Sequence, residues 1–324
     1  MPFEQKLDNG LLLRYIRDEK DIERFTAFST EINNRMEGLT SNCLLKHFPR
    51  TEGDNFQIIE NPETGEIVST TCFMPWKLNF GGVSLESAMP EMILTKPSHR
   101  KMGLAGIQMN RLALSMKERQ FDLSILWGIP YYYRQFGYSY AVEGMVTETL
   151  HPRRIFSSIG SAGFGASGKL VLKKAGIEDI PILEEYYEKL IKPLDIYIER
   201  GKSQWTYMIR DAKMSILLAI NKVSGTPEGY IIKALESPPG NLFVLENSIP
   251  SHEDAMEVLW FLGKEYAGEL KLRWPQSSTL VKIARELGST TNLNTQWLFM
   301  IMDITAFFTK LLPVFNSRLA ASSF

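Results

Sequence analysis

Alternating apolar and polar positions in the first third of the chain predict a series of antiparallel β-strands. Four such runs occur in two pairs, and a short segment of turn residues separates each pair, which is typical of β-hairpins. The runs are residues 56–60 and 66–73 around Asn61-Pro62-Glu63-Thr64-Gly65, and residues 76–80 and 83–87 around Gly81-Gly82. A strand at residues 11–15 and a helix at residues 18–33 are predicted before them.

A further strand at residues 92–95 is followed by a helix to about Gln120, and the loop between them carries small residues. This loop and the first turn read Arg100-Lys101-Met102-Gly103-Leu104-Ala105. The first amides of a helix have no partner within the helix and carry a partial positive charge, so small residues there allow a pyrophosphate to approach them. Glycine inside a first helical turn costs ~1 kcal/mol, which favours this phosphate-binding interpretation of Gly103 over a solvated turn. Arg100 adds a cation at the rim.

The rest of the chain repeats a mixture of strands and helices. We predict a strand at residues 123–127, a short helix at 131–136 and a strand at 138–148. Ten of the twelve residues from 157 to 168 are Gly, Ser or Ala, which indicates a boundary or linker. Beyond it we predict strands at 169–174, 215–221, 229–235 and 242–245, and helices at 179–192, 254–267 and 278–287.

Composition narrows the classes of protein. A length of 324 residues favours two domains, and a net charge of −1 argues against a general nucleic-acid binder. Cys43 and Cys72 have no metal-ligand spacing, so we expect a reducing cytoplasm, with no disulfide framework or zinc site. Residues 297–315 are apolar but include Asp303 and Lys310, so we expect a buried strand and helix and no membrane span.

The four histidines are scattered along the sequence, so we expect no metal. They are His47, His99, His151 and His252. Only His99 lies near the predicted phosphate loop, where a contact at the rim is favoured over acid-base chemistry.

Two sequence motifs, one at residues 100–105 and one at residues 128–138, give the chain a resemblance to a known family. Arg-x-x-Gly-x-Ala between strand and helix is followed by Gly128-Ile129-Pro130-Tyr131-Tyr132-Tyr133-Arg134-Gln135-Phe136-Gly137-Tyr138. The pair resembles the GNAT superfamily of acyl-CoA-dependent N-acetyltransferases. The resemblance implies an α/β fold with a mixed sheet, acetyl-CoA as co-substrate, and a small-molecule or peptide amine as acceptor.

The whole chain resembles the tandem-GNAT subgroup typified by the bacterial Eis-type aminoglycoside acetyltransferases. That resemblance implies a catalytic domain at residues 1–158, a linker at 159–168 and a degenerate second GNAT domain at 169–295. Residues 296–324 are similar to the opening of a sterol-carrier-protein-like domain, which would here be truncated. Relatives of this type form homo-oligomers, which raises the expectation of one here.

The resemblance also implies the roles of individual residues. The backbone of Met92, Ile93 and Leu94 is expected to bind the pantetheine arm. The pyrophosphate is expected on the amides of Arg100, Lys101, Met102, Gly103, Leu104 and Ala105. Tyr133 occupies the position of a tyrosine near the CoA sulfur, where a phenol can protonate the leaving thiolate. A purely structural role in a cluster with Tyr131 and Tyr132 is the alternative.

A base is expected as well, because an amine must lose a proton before it attacks. Glu91 and Glu86 lie in the region where many GNAT enzymes hold such a carboxylate, but neither matches a motif residue by residue, and a surface carboxylate is the favoured interpretation of both. Eis-type enzymes are thought to use the terminal carboxylate of a third domain, and we do not transfer that role to Phe324.

The residues named above are compatible with three functions. The favoured function is an N-acetyltransferase, and the alternatives are a non-catalytic acyl-CoA sensor or scaffold and an aminoacyl transferase. Residues 163–169 imitate a Walker loop but precede a strand, so we interpret them as linker. In the second domain, Ser251 is a predicted N-cap and Glu253 and Asp254 fill the first turn, so we expect no CoA there.

Overall fold

The computed structural model describes residues 3–142, 146–159, 164, 168–235, 240–266, 268–293 and 297–322. The chain divides into two compact units. The first comprises residues 1–142, 194–207 and 297–324, and the second comprises residues 143–193 and 208–296. Each unit is built around its own sheet.

The secondary structure consists of the following elements. The strands are β1 (Glu4–Lys6), β2 (Leu12–Tyr15), β3 (Phe56–Glu60), β4 (Ile67–Phe80), β5 (Val83–Thr95), β6 (Leu123–Leu126), β7 (Ser139–Val142), β8 (Val146–Leu150), β9 (Leu170–Lys174), β10 (Ile196–Ile198), β11 (Met214–Asn221), β12 (Pro227–Leu235), β13 (Leu242–Ser248), β14 (Leu270–Trp274), β15 (Thr290–Leu293) and β16 (Trp297–Ile301). The helices are α1 (Glu19–Ile32), α2 (Arg35–His47), α3 (Leu104–Glu118), α4 (Pro152–Ile159), α5 (Ile180–Ile191), α6 (Lys202–Arg210), α7 (His252–Glu265), α8 (Thr279–Glu286) and α9 (Ile304–Ala320).

The sheet of the first unit has the strand order β1-β2-β3-β4-β5-β6-β16-β7, and β10 pairs with β4. Its neighbours are antiparallel except for β5 and β6, which run parallel. Both predicted hairpins are confirmed, because β3 pairs with β4 and β4 with β5 across the two turn segments. One face packs on α3 through buried residues that include Phe73, Met109 and Leu112.

The number of predicted strands in this region was wrong, because β4 and β5 are each one long strand where the sequence predicted two. Pro75 and Pro90 lie in the intervals between the predicted strands. A proline fits inside a strand when its missing N–H faces an unpaired edge. Pro75 lies between Cys72, where pairing with β3 ends, and Leu78, where pairing with β10 begins, and Pro90 lies beyond the last residue of β5 that pairs with β6.

The C-terminal segment belongs to the first unit. β16 lies between β6 and β7, and α9 packs Leu311 and Val314 against a core that contains Leu78 and Leu85. The predicted domain limits at residues 158, 168 and 295 stay predictions. Among the described residues, no helix is long and apolar enough to cross a membrane.

The sheet of the second unit has the order β15-β8-β14-β13-β12-β11-β9, with β13 and β14 parallel. The single strand predicted at residues 138–148 was wrong, because β7 lies in the first sheet and β8 in the second. The three helices predicted in this half are confirmed as α5, α7 and α8. Helices α2, α4 and α6 were not predicted, and most of the linker, residues 160–163 and 165–167, lies outside the described residues.

Candidate functional site

A gap opens in the first sheet where the two parallel strands part. β5 and β6 are paired only at Ser87 with Leu123 and at Ala88 with Ser124, but β5 continues to Thr95. Beyond Ala88 the edge of β5 that faced β6 therefore has no partner strand in the described part of the chain. Backbone donors and acceptors along that edge are available to a ligand.

A bulge in β5 changes which backbone groups face this gap. The register with β4 shifts between Thr70 and Cys72, and Met92 adopts a left-handed φ of 52° that is uncommon for a side chain of this size. The carbonyl of Leu94 accepts a hydrogen bond from Ser69 Oγ at 2.8 Å, so it is turned towards β4. By the alternation of an antiparallel ladder, the backbone of Ile93 and Thr95 points into the gap.

The predicted phosphate loop leads from the end of β5 into α3. Its glycine does not lie inside the first helical turn, as the sequence suggested, but is the N-cap, with φ 74° and ψ 6°. Gly103 is present because this left-handed conformation is unfavourable for other residues. An added Cβ there would meet nothing within 4 Å, so the space in front of the helix is open.

The amides of this loop are unpaired. Those of residues 101–106 donate no hydrogen bond to any described residue, and Gly103 supplies no side chain to cap the helix. The first amide of α3 that is engaged belongs to Ile107, which donates to the Gly103 carbonyl at 3.1 Å. Arg100 is exposed, and its Nε lies 3.4 Å from the Thr95 carbonyl, so its charge stands beside the gap. This is the arrangement that binds phosphate groups at helix N-termini.

Tyr133 lies in a short 3-10 helix at Tyr132–Phe136, and its side chain belongs to the same buried cluster as Ala88 of β5, against which Ile93 also packs. Only 8% of the residue is exposed, and its ring packs at near-perpendicular angles on Tyr132 and Tyr138. Burial, with smaller contributions from Tyr132 and the Glu91 carboxylate, raises the pKa of Tyr133 to about 12. The phenol therefore keeps its proton at neutral pH.

Gly128 is a functional candidate that sequence reasoning did not single out. A Cβ built on it would lie 2.4 Å from Cε2 and 3.1 Å from Cζ of Tyr133. Contacts of this length do not occur between unbonded carbon atoms, so Gly128 makes room for the tyrosine ring. Glycine at the start of the Gly128–Tyr138 motif was the available signal.

The two carboxylates considered as bases differ in their surroundings. Glu86 forms ion pairs with Arg50 and, at 3.6 Å, with Lys77, so its charge is already compensated. Glu91 is half-buried on the unpaired part of β5, and its negative charge makes a small contribution to the raised pKa of Tyr133. Of the two carboxylates, Glu91 is therefore the one whose charge acts on the phenol.

Among the described residues, no group of three or more His, Cys, Asp or Glu side chains could hold a metal ion. Cys43 and Cys72 are both buried, and neither forms a disulfide. His99 lies at the phosphate loop, with its Nδ1 2.9 Å from Ser98 Oγ.

The second unit has the same strand-helix-strand order, but its described residues show neither a gap between parallel strands nor an uncapped helix start. β13 and β14 stay paired from Leu242 with Leu270 to Glu246 with Trp274, which is the whole length of β14, so no gap opens. Ser251 is the N-cap of α7, as predicted, and accepts from the Asp254 amide at 3.3 Å. Glu253 and Asp254 place negative charge in the first turn, which disfavours an anion.

Comparison with known proteins identifies the fold. Residues 20–141 match the family described as Acetyltransferase (GNAT) domain. A conserved protein of Enterococcus faecalis V583 described as a probable N-acyltransferase is 14% identical, with a TM-score of 0.65 over 96% of this chain and 75% of that one. A GCN5-related N-acetyltransferase from Anabaena variabilis is 18% identical, with a TM-score of 0.64 over 90% of this chain and 73% of that one.

A third similar structure belongs to a different kind of acyltransferase. N-myristoyltransferase of Saccharomyces cerevisiae, solved with bound myristoyl-CoA, is 11% identical, with a TM-score of 0.61 over 92% of this chain and 83% of that one. No curated protein sequence gives a significant match. The chain therefore has a GNAT fold, and its match to the acetyltransferase family covers residues 20–141.

Proposed function

We propose that this protein is an N-acetyltransferase that moves an acetyl group from acetyl-CoA to a primary amine by direct attack in a ternary complex. The observation that carries the proposal is the gap between β5 and β6 with unpaired amides at one end and a protonated tyrosine beside it. We place the protein in a reducing cytoplasm, which suits two cysteines that form no disulfide.

The phosphate loop binds the diphosphate group of the cofactor. The amides of residues 101–106 have no hydrogen-bond partner among the described residues, the space beside Gly103 is open, and the helix dipole adds a partial positive charge. Arg100 contributes a full charge at the same end of the gap. A diphosphate is the ligand that uses all of these groups at once, because it offers several acceptor oxygens and two negative charges.

The unpaired edge of β5 orients the pantetheine arm. Ile93 and Thr95 present amide donors and carbonyl acceptors to the gap, and the amide groups of pantetheine complement them as an added strand would. This contact runs from the phosphate loop towards Glu91, so the thioester comes to lie between Glu91 and Tyr133.

The residues around the thioester then divide the proton transfers. The amine nitrogen attacks the thioester carbon, its proton passes to the Glu91 carboxylate directly or through water, and the C–S bond breaks as the tetrahedral intermediate collapses. The departing thiolate takes the proton of Tyr133, whose raised pKa ensures that this proton is present. The phenol then recovers a proton from solvent.

The test is a thiol-release assay with acetyl-CoA and a panel of polyamines, aminoglycosides and peptides, run after calorimetry has measured CoA binding. We expect one class of amine to give turnover, and Tyr133→Phe to lower kcat by about 10²-fold or more with little change in the Kd of CoA. Tight CoA binding without turnover on any amine would favour the acyl-CoA sensor. Full activity of Tyr133→Phe would remove the tyrosine from the mechanism.

A further inference from the structure

The closed end of the gap between β5 and β6 carries residues that the proposed chemistry does not use. Ser124 is the last residue of β6 that pairs with β5, and its Oγ lies 3.2 Å from the Ala88 carbonyl and 2.6 Å from the Tyr138 hydroxyl. These contacts connect β5, β6 and Tyr138. We call the cluster of Ala88, Ser124 and Tyr138 the vertex.

The side chains at and behind the vertex are buried and closely packed. Tyr138 is 2% exposed, Ser124 and Ala88 are fully buried, and burial raises the pKa of the Tyr138 phenol. Phe73, Leu126 and Leu298 pack in the same buried cluster as Tyr138. Close-packed interiors leave no room for a chain to pass without displacing one of these side chains.

The length of β5 fixes how far a thioester stands from the vertex. The unpaired part, residues 89–95, spans roughly 20 Å at about 3.3 Å per residue. An extended pantetheine arm is about as long as four or five peptide units, or roughly 15 Å. With the diphosphate on the loop beyond Thr95, the sulfur reaches the neighbourhood of residues 90 and 91. About 5 Å then remain before the vertex.

We infer that Tyr138 and Ser124 are the specificity-determining residues for the acyl group, and that they restrict the donor to short acyl-CoA thioesters. This inference rests on the proposed function of the same site. About 5 Å accommodates roughly four bonds of an extended chain at ~1.2 Å each, so two to four carbons fit. A fourteen-carbon chain extends by roughly 16 Å and would have to displace Tyr138.

The experiment is a chain-length series with CoA, acetyl-, propionyl-, butyryl-, hexanoyl- and octanoyl-CoA, measured by calorimetry and by thiol release. For the wild-type protein we expect similar Kd values up to butyryl-CoA, and Kd at least tenfold weaker from hexanoyl-CoA onward. Equal Kd for octanoyl- and acetyl-CoA would overturn the inference while leaving the proposed function intact. Absence of binding to CoA itself would overturn both.

Two variants of Tyr138 distinguish the effect of its ring volume from the effect of its hydrogen bond to Ser124. Tyr138→Leu removes most of the ring and should bring hexanoyl-CoA to within threefold of acetyl-CoA. The matched control Tyr138→Phe keeps the ring and loses only the bond to Ser124, so its chain-length profile should stay that of the wild type. If both variants shift the profile equally, or neither does, the assignment of Tyr138 as the stop is wrong. The wild-type series decides the inference even if Tyr138→Leu fails to fold.

Discussion

Gly128→Ala perturbs the proposed acid without touching its phenol group. The new methyl would lie 2.4 Å from Cε2 and 3.1 Å from Cζ of Tyr133, whereas ordinary contacts begin near 3.4 Å. The ring must therefore retreat by about 1 Å or rotate, because Gly128 lies on the strand-to-helix connection and cannot yield as a flexible side chain would. Tyr132, Phe136 and Tyr138 surround the ring, so the retreat carries the hydroxyl away from its position at the gap.

The magnitude follows from the size of that displacement. A misplacement of about 1 Å in a reacting group costs on the order of 10²-fold in rate. We therefore expect kcat of Gly128→Ala to fall about 10²-fold, which corresponds to about 2.7 kcal/mol in activation free energy. Overpacking should also lower the free energy of unfolding by about 1–3 kcal/mol, so activity must be measured well below the melting temperature.

A double-mutant cycle in the thiol-release assay distinguishes positioning from a general loss of structure. If Gly128 acts through Tyr133, the double variant with Tyr133→Phe should be no slower than Tyr133→Phe alone, and the Kd of CoA should change less than about threefold. Gly201→Ala is the control, because a Cβ there meets nothing within 4 Å. Wild-type kcat in Gly128→Ala, or losses that add in the double variant, would refute the reasoning.

Three further predictions concern the cofactor and the proton. Arg100→Ala combined with Gly103→Asp should weaken acetyl-CoA binding by about 10²-fold or more. The melting temperature should fall by a few degrees at most, because both residues are exposed and the left-handed conformation of residue 103 costs an aspartate only about 1–2 kcal/mol; equal affinity would remove the phosphate-loop assignment. Calorimetry should find one acetyl-CoA per chain, because β13 and β14 leave no gap in the second unit, and two per chain would contradict this. The active form of Tyr133 is the neutral phenol, so with its pKa raised to about 12 the rate should show no alkaline loss due to the tyrosine below about pH 11; an alkaline limb near pH 10 that disappears in Tyr133→Phe would contradict the buried phenol.

Local patterns predicted the hairpins and the phosphate loop because their signals lie within a few residues. Asn61 to Gly65 and Gly81-Gly82 are turn sequences, and the strand-loop-helix around Gly103 needs no information from elsewhere in the chain. The left-handed conformation of Gly103 explains why a glycine stands there, whereas the sequence placed it inside the helix.

Features that depend on partners distant in sequence were not predictable from local patterns. Proline disfavours a strand when only local sequence is considered. The pairing of the neighbouring strands is needed to show that the strand edges at Pro75 and Pro90 are free. Nothing in residues 297–301 indicates that β16 pairs with β6 and β7, more than a hundred residues earlier in the chain. The bulge at Met92 and the vertex at Ser124 depend in the same way on register and packing.

Of the candidate site, the sequence supplied the residues but not their arrangement. Glu86 and Glu91 look alike as carboxylates near a cofactor strand, and only the ion pairs of Glu86 with Arg50 and Lys77 distinguish them. Tyr133 was singled out by its motif, but its burial and its dependence on Gly128 come from packing.

The central claim is that the unpaired amides before α3 and the free edge of β5 together hold CoA. A crystal structure with CoA bound tests it most directly. We predict the diphosphate within hydrogen-bond distance of the amides of residues 101–106, the pantetheine arm along Ile93 and Thr95, and the sulfur between Glu91 and Tyr133. A CoA molecule bound elsewhere, or a loop that stays empty at millimolar CoA, would contradict the account.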